Sequence, residues 1–183
     1  LKVLAPPLVG HAAVTARLCG ECAVSSLTRH PGLVEIRAAE RAADGSPFLV
    51  MEYLEGETVA QIAARGRLEL AEIAAIGAQA AAALAALHAA GAIHCDVKPD
   101  NLFVLAGARW GAGPRIKLLD FGVSRFVDEP AGDDPAIAGT PVYMAPEQWR
   151  GRPEPASDVY ALGCMRDELI AGEPPFDGSM PRL

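Results

Sequence analysis

An uncharged stretch, residues 73–95, most constrains the fold of this chain. It contains no Asp, Glu, Lys or Arg and consists mostly of alanine, with leucine and isoleucine between. The stretch is long enough to be tested as a membrane-spanning helix, but it is rich in alanine and also holds Gln79, His88 and His94. It therefore predicts one long helix from about Leu70 to Ala90, buried in a soluble domain, and no membrane segment within this chain.

The composition is that of a folded, acidic domain. Of the 183 residues, 51% are hydrophobic and 21% are charged, which is enough apolar surface for a core and unlike a disordered chain. The formal net charge of -7 excludes a broad basic surface, so we expect no nucleic-acid partner. The four scattered cysteines do not form the framework of a small secreted protein, and they predict a cytoplasmic location.

Strand signals dominate the front of the chain and helix signals the back, which predicts the α+β class. An Asp44-Gly45 pair between two apolar runs is a hairpin signal. The expected strands are Leu1–Leu4, Leu33–Arg37, Pro47–Tyr53, Leu102–Leu105 and Ile116–Leu119. The expected helices are Val14–Thr28, Thr58–Arg65, Leu70–Ala90 and Ala156–Ala171.

Three chemically distinct side chains follow the long predicted helix within a few residues. In the segment 94–101, Asp96 offers a carboxylate base, Lys98 a cation and Asn101 a neutral metal ligand. Asp120 follows a predicted strand and supplies a second carboxylate for Mg²⁺. Such a set suits phosphoryl transfer, in which catalysis depends on positioning and on neutralising charge.

Three ordered motifs lie at residues 94–101, at residues 120–122, which read Asp-Phe-Gly, and at residues 139–147, which end in Ala-Pro-Glu. With these motifs the chain resembles the catalytic domain of the bacterial, eukaryotic-like Ser/Thr protein kinases, in which they match the catalytic loop, the metal-binding triplet and the substrate-docking segment. The resemblance implies a two-lobed fold, with a small strand-rich N-lobe and a mainly helical C-lobe. It covers nearly all of this chain but only the middle of the family's domain. We therefore expect a partial N-lobe at 1–53 and a partial C-lobe at 54–183.

The resemblance also implies the roles of the catalytic residues. Asp96 would orient and deprotonate the substrate hydroxyl, and Lys98 would neutralise the transferring phosphate. Asn101 and Asp120 would bind Mg²⁺. Because Lys98 and the segment 140–147 are present, a protein substrate with Ser or Thr acceptors is favoured over the small-molecule substrates of related kinases.

An ATP site is implied at the front of the chain. Lys2, oriented by Glu21, would clamp the α- and β-phosphates of ATP. Phe103 would lie beneath the adenine. The expected hinge residues, whose backbone would meet the adenine edge, are Met51, Glu52 and Leu54.

Two parts of the family's domain have no counterpart in this chain. The glycine-rich loop that covers the phosphates would precede Lys2, and the last helices of the domain would follow Leu183. We therefore expect these residues alone to bind ATP weakly or not at all. The alternative to an active kinase is a catalytically impaired, kinase-like binding or scaffold module.

Cys95 replaces the arginine that precedes the catalytic Asp in many kinases, where it pairs with a phosphate on the activation loop. The loop 127–138 contains no Ser, Thr or Tyr. The sequence therefore predicts a kinase that is active without phosphorylation of this loop.

Several conspicuous residues have structural explanations. His94 is expected to pack against Phe121, and Asp158 to hold the backbone of the catalytic loop. Cys19 and Cys22 form a single Cys-x-x-Cys pair without further ligands at metal-binding spacing, so we expect them to fill space rather than bind zinc or act as a redox pair.

Overall fold

The computed structural model describes residues 1–3, 12–107, 115–121, 124–126 and 139–177. The predicted activation loop 127–138, Gly122 and the side chain of Cys19 lie outside the described residues.

Strands and helices alternate irregularly along the described chain, as in an α+β protein. The strands are β1 (Lys2–Val3), β2 (Ile36–Arg41), β3 (Pro47–Met51), β4 (Gly56–Thr58), β5 (Ala92–Ile93), β6 (Leu102–Leu105), β7 (Ile116–Leu118) and β8 (Arg125–Phe126). The helices are α1 (Ala12–Leu27), α2 (Val59–Arg65), α3 (Leu70–Ala89), α4 (Pro146–Trp149) and α5 (Pro155–Ala171), with 3-10 turns at Pro99–Asn101 and Pro141–Tyr143.

The first sheet is antiparallel and has the order β1-β3-β2. Leu49 in the central strand pairs with Lys2 on one side and with Ala39 on the other. The hairpin between β2 and β3 turns at Gly45, whose φ of 84° lies in the left-handed region that favours glycine. The side chain of Asp44 accepts the N–H of Ser46 in this turn. The predicted hairpin is confirmed.

The predicted strand Leu33–Arg37 is wrong at its start, because β2 begins at Ile36. Leu33 instead forms a single parallel bridge with Leu118 of β7, and the N–H of Val34 donates to the carbonyl of Leu118 at 3.0 Å. The apolar pattern runs without a break from Leu33 to Ile36, although the pairing partner changes within it. Leu33 and Val34 bond to β7, whereas Ile36 pairs with Met51 of β3. Periodicity alone does not separate the two environments.

The remaining strands form a sheet of order β4-β6-β7 and a small β5-β8 ladder, all antiparallel. The sequence predicts β6 and β7 but not β4, β5 and β8. These three have only two or three residues each, which is too short for a period-two pattern to be recognised.

Helix α3 corresponds to the uncharged stretch and begins with a reciprocal capping arrangement between Glu69 and Glu72. It is the one described helix long and apolar enough to cross a membrane, judged by length and composition alone. Its buried residues lie on the face that packs against α5 and β7, and they are Ile73, Ile76, Gly77, Ala80, Ala83, Leu84 and Leu87.

Helix α5 packs against α3 and against the 3-10 turn at Pro141–Tyr143. Glu154 and Ser157 form a capping box around Pro155, and Gly172 ends the helix with a φ of 94°. Asp158, in the first turn of α5, is 1% exposed.

The expected boundary between the lobes, after residue 53, falls in the irregular segment between β3 and β4. The first sheet and α1 precede it, and the described helices α2 to α5 follow it. One hydrophobic core nevertheless includes residues from both sides, such as Leu18, Leu49 and Leu84. The boundary itself stays a prediction.

Candidate active site

A buried carboxylate holds the loop that follows β5. The two side-chain oxygens of Asp158 accept the N–H groups of His94 and Cys95, each at 2.8 Å. The ring Nε2 of His88 lies 2.7 Å from the same carboxylate. These bonds hold Cys95 at a φ of 67°, a conformation that is uncommon outside glycine. The predicted anchoring position of Asp158 is confirmed, whereas the contribution of His88 is not apparent from the sequence.

His94 joins this loop to the strand that leads to Asp120. Its ring lies edge-on to Phe121, with centroids 5.7 Å apart, and its Nε2 is 2.9 Å from the carbonyl oxygen of Leu119. His94 is fully buried. The predicted packing of His94 against Phe121 is confirmed.

Three polar side chains meet around the carboxylate of Asp96. The hydroxyl of Thr140 donates to Asp96 Oδ1 at 2.7 Å, and the side-chain amide of Asn101 donates to Oδ2 at 3.0 Å. Lys98 Nζ lies 3.1 Å from Asp96 Oδ2 and donates to Thr140 Oγ1 at 2.8 Å. The three predicted catalytic residues are therefore in one cluster, which a fourth residue 44 positions from Asp96 completes.

The two predicted metal ligands lie at the same edge of the second sheet. Asn101 precedes β6 and Asp120 follows β7, and the register pairs Leu102 with Leu118. The N–H of Leu119 donates to the carbonyl of Asn101 at 2.8 Å. Antiparallel pairing thus brings together residues that are far apart in the sequence.

Two hydrogen bonds from the side-chain amide nitrogen orient Asn101. The side-chain nitrogen donates both to the backbone carbonyl of Asp96, at 2.8 Å, and to its carboxylate. Because an amide nitrogen only donates, this arrangement fixes which end of the side chain is the oxygen, a potential metal ligand. Asp120 has a φ of 61°, which for a non-glycine residue is a strained backbone conformation typical of functional sites.

Lys2 connects the front of the chain to this edge. Its Nζ donates to both carboxylate oxygens of Glu21, at 2.7 and 2.9 Å, and to Asp120 Oδ1 at 2.7 Å. Burial alone would lower the pKa of Lys2, but its hydrogen bonds to the carboxylates of Asp120 and Glu21 outweigh it, so the pKa lies above its ordinary value. Burial raises the pKa of Glu21, and the bond from Lys2 opposes that shift. Lys2 is therefore held as a cation between two acidic side chains.

The predicted hinge residues lie where β3 leaves the first sheet. Met51 ends β3, and Met51 and Leu54 both pack against the core. The N–H of Glu52 donates to the carbonyl of Glu35 at 2.9 Å. Phe103 is in β6, opposite Thr58 of β4. Their predicted contacts with adenine stay predictions.

The segment 139–147 is attached to the catalytic loop and to α5. A Cβ at Gly139 would lie 2.6 Å from the carbonyl oxygen of Cys95, so glycine is required for this close approach. Gln148, just after the segment, donates from Nε2 to the same carbonyl at 2.5 Å. Tyr143 donates its hydroxyl to Glu168 at 2.6 Å. Neither Gln148 nor Glu168 is marked by any pattern in the sequence.

Comparison with known proteins identifies the family. The model of the protein kinase domain matches residues 9–182. The chain is 35% identical over 187 residues to the serine/threonine-protein kinase pkn2 of Myxococcus xanthus, covering 100% of this chain and 22% of that protein. It is 36% identical over 185 residues to pkn3 of the same organism, covering 97% and 33%. It is 35% identical over 188 residues to PknB of Mycobacterium leprae, covering 99% and 29%.

The chain belongs to the protein kinase domain family. It spans between about a fifth and a third of the length of these relatives. The α+β elements described above are those of a truncated two-lobed kinase fold, which confirms the predicted fold class.

Proposed function

We propose that this chain is the central part of a protein kinase domain that transfers a phosphoryl group from ATP to Ser or Thr side chains of proteins. The observation that supports this most directly is the hydroxyl of Thr140, which is bonded to both Asp96 and Lys98. An arrangement that binds one alcohol between a carboxylate and an ammonium group is suited to an acceptor hydroxyl of the same chemical type.

Asp96 is the base in this proposal. A substrate hydroxyl that donates to its carboxylate becomes a better nucleophile as its proton moves to Asp96. The amide of Asn101 restrains the carboxylate, and Lys98 offsets negative charge that develops on the transferring group. Lys2, held by Glu21, is placed to bind phosphate oxygens of the nucleotide.

The residues present fit a Mg²⁺ ion that is shared with a nucleotide. Asn101 has an oxygen fixed by the hydrogen bonds of its amide nitrogen, and Asp120 provides a carboxylate at the same sheet edge. Mg²⁺ prefers such oxygen ligands and is commonly held by one or two side chains together with phosphates. When bound, Mg²⁺ would neutralise charge on the phosphates.

Two observations support a protein substrate. The relatives are named serine/threonine-protein kinases. A cavity of about 270 Å³ beside the catalytic loop, between α2 and α5, is lined by Pro99, Asp100, Tyr143 and Glu168 among others. The lining combines these groups with apolar side chains such as Leu68 and Leu169, a mixture that suits a side chain of a polypeptide substrate. The proposal includes a cytoplasmic location, which the free thiols of the described cysteines support.

The test is phosphotransfer by the full-length gene product to a generic Ser/Thr protein, with labelled ATP and Mg²⁺. We expect Asp96→Asn to lower kcat by roughly 10²- to 10⁴-fold. Asp167→Asn, an exposed residue of α5, is the matched control and should retain the wild-type rate. An Asp96→Asn protein with an intact rate would contradict the assignment of the base. Nucleotide binding without turnover in the wild type would favour the scaffold module instead.

A further inference from the structure

The ion pair between Lys117 and Glu52 lies outside the cluster around Asp96 and includes a residue of the predicted hinge. Lys117 Nζ lies 2.5 Å from Glu52 Oε1 and donates to the carbonyl of Leu33 at 3.1 Å. The same Glu52 oxygen accepts the N–H of Glu35 at 2.8 Å. The side chains of Lys117 and Glu52 are only 13% and 19% exposed. One ammonium and one carboxylate thus link the segment after α1, the hinge and β7.

Backbone hydrogen bonds join the same three segments. The N–H of Leu118 donates to the carbonyl of Gly32 at 2.7 Å, and the N–H of Val34 donates back to Leu118 at 3.0 Å. The N–H of Glu52 donates to the carbonyl of Glu35. The segment after α1 is therefore fixed to β7 on one side and to the hinge on the other.

Each of the three segments leads to a residue of the predicted nucleotide site. Helix α1 carries Glu21, and β7 ends two residues before Asp120. The hinge includes Met51 and Leu54. A relative movement of these segments would separate the carboxylates that both bind Lys2.

We propose that Lys117 and Glu52 are a positioning pair, which keeps α1, the hinge and β7 in the arrangement that binds the nucleotide. This inference rests on the proposed function and deepens it. The pair acts through other residues, since Lys117 and Glu52 bond to each other and to backbone groups rather than to Asp96, Lys98 or Thr140.

The charges of the pair are largely shielded from water, which distinguishes it from a surface ion pair. Loss of one partner from a shielded pair leaves the other charge poorly solvated, so the remaining side chain would move away and release its backbone contacts. The substrate side of the site is held separately, by Asp158 beneath the catalytic loop and by Gln148 next to the docking segment. Nucleotide binding should therefore depend on the pair, and substrate binding should not.

The test replaces Lys117 by Met in the full-length gene product and measures Mg²⁺-ATP affinity with a fluorescent ATP analogue. We expect affinity to fall about tenfold or more, with the KM for ATP rising in parallel. The KM for the protein substrate at saturating ATP should stay within about twofold of wild type. Lys117→Arg, which keeps the charge and the reach, should restore most of the affinity. The matched control is Arg65→Met, which removes an exposed ion pair between Arg65 of α2 and Glu57 of β4 and should leave nucleotide affinity and both KM values unchanged.

Two further measurements keep the inference testable if Lys117→Met folds poorly. Glu52→Gln retains an acceptor for the N–H of Glu35 but removes the charge, and it should weaken nucleotide binding to a similar extent. Amide hydrogen exchange at Val34 and Leu118 should be faster in either variant than in the wild type. This measurement does not require catalytic turnover.

Unchanged nucleotide affinity in folded Lys117→Met and Glu52→Gln proteins would overturn the positioning pair, as would an equal rise in both KM values. A failure of the proposed function would give a different result. The wild-type protein would bind Mg²⁺-ATP and transfer no phosphate, while Lys117→Met would still lower the affinity for Mg²⁺-ATP.

Discussion

Lys2 Nζ lies 2.7 Å from Asp120 Oδ1, although the two residues are 118 positions apart in the chain. Lys2 simultaneously bonds Glu21, which is 2% exposed. The first strand, the first helix and the end of β7 therefore meet at one ammonium group. This junction joins the front of the chain to the edge that carries the predicted metal ligands.

Replacement of Lys2 by Met should lower kcat/KM for ATP by about 10²-fold or more, because a cation that is placed to bind phosphate oxygens is lost. Steady-state kinetics of the full-length gene product would measure this. Arg37→Met is a suitable control, since it removes only an exposed ion pair with Glu35. Equal effects of the two changes would contradict the predicted role of Lys2.

The same Lys2→Met change should make stability more dependent on pH. Burial already raises the pKa of Glu21, and loss of Lys2 removes the hydrogen bond and the positive charge that oppose that shift. A carboxyl whose pKa is raised in the folded state stabilises the fold at low pH and loses this contribution as the pH rises. The stability deficit of Lys2→Met against wild type should therefore be larger at pH 7 than at pH 4, as measured by urea unfolding. A deficit that does not vary with pH would show that Glu21 does not titrate in this way.

Thr140 provides a matched pair of substitutions at the catalytic loop. Thr140→Val keeps the shape but removes the hydroxyl that bonds Asp96 and Lys98, and we expect kcat to fall roughly 10- to 100-fold. Thr140→Ser keeps the hydroxyl and should retain most of the rate. If valine and serine behave alike, the hydroxyl does not position either charged residue.

Cys95 should be chemically inert in the folded protein. Burial raises the pKa of its thiol from an ordinary value of 9.0 to about 12, so at pH 8 almost none is thiolate, the form that reacts. We expect alkylation of Cys95 by iodoacetamide to be at least about 10²-fold slower in the native protein than in urea, as followed by mass spectrometry. The corresponding contribution to stability is complete below about pH 9 and is lost as the pH rises towards 12. Rapid native alkylation would contradict this.

Kinase activity should not require phosphorylation between Asp120 and Glu147. The hydroxyls available there are those of Ser124, Thr140 and Tyr143, and each donates a hydrogen bond within the fold. Phosphatase treatment of the full-length gene product should leave its rate within about twofold. A large loss of activity, traced by mass spectrometry to Ser124 or Thr140, would show that another cation replaces the arginine absent at Cys95.

The sequence determines the elements and the motifs whose signals are local. Helix α3 follows from its composition rich in alanine, leucine and isoleucine, the hairpin from Asp44-Gly45, and the segment 94–101 from the order of its residue types. In each case the deciding interactions lie within a few residues, through helix periodicity, turn geometry or the chemistry of one loop. Composition and motif order were therefore enough for the fold class and for placing Asp96, Lys98 and Asn101 together, whereas Thr140 joins them from 44 positions away.

The tertiary structure alone decided which distant groups became partners. No local pattern indicates that Leu33 pairs with β7 and not with the first sheet, that Lys117 bonds Glu52, or that His88 contacts Asp158. These contacts join residues 65 or more positions apart, so they depend on how buried strands and helices stack in three dimensions. A charged or aromatic residue looks the same in the sequence whether it faces water or a buried partner. The physical reason is that burial, which makes such a partner necessary, is a property of the packed fold and not of the neighbouring residues.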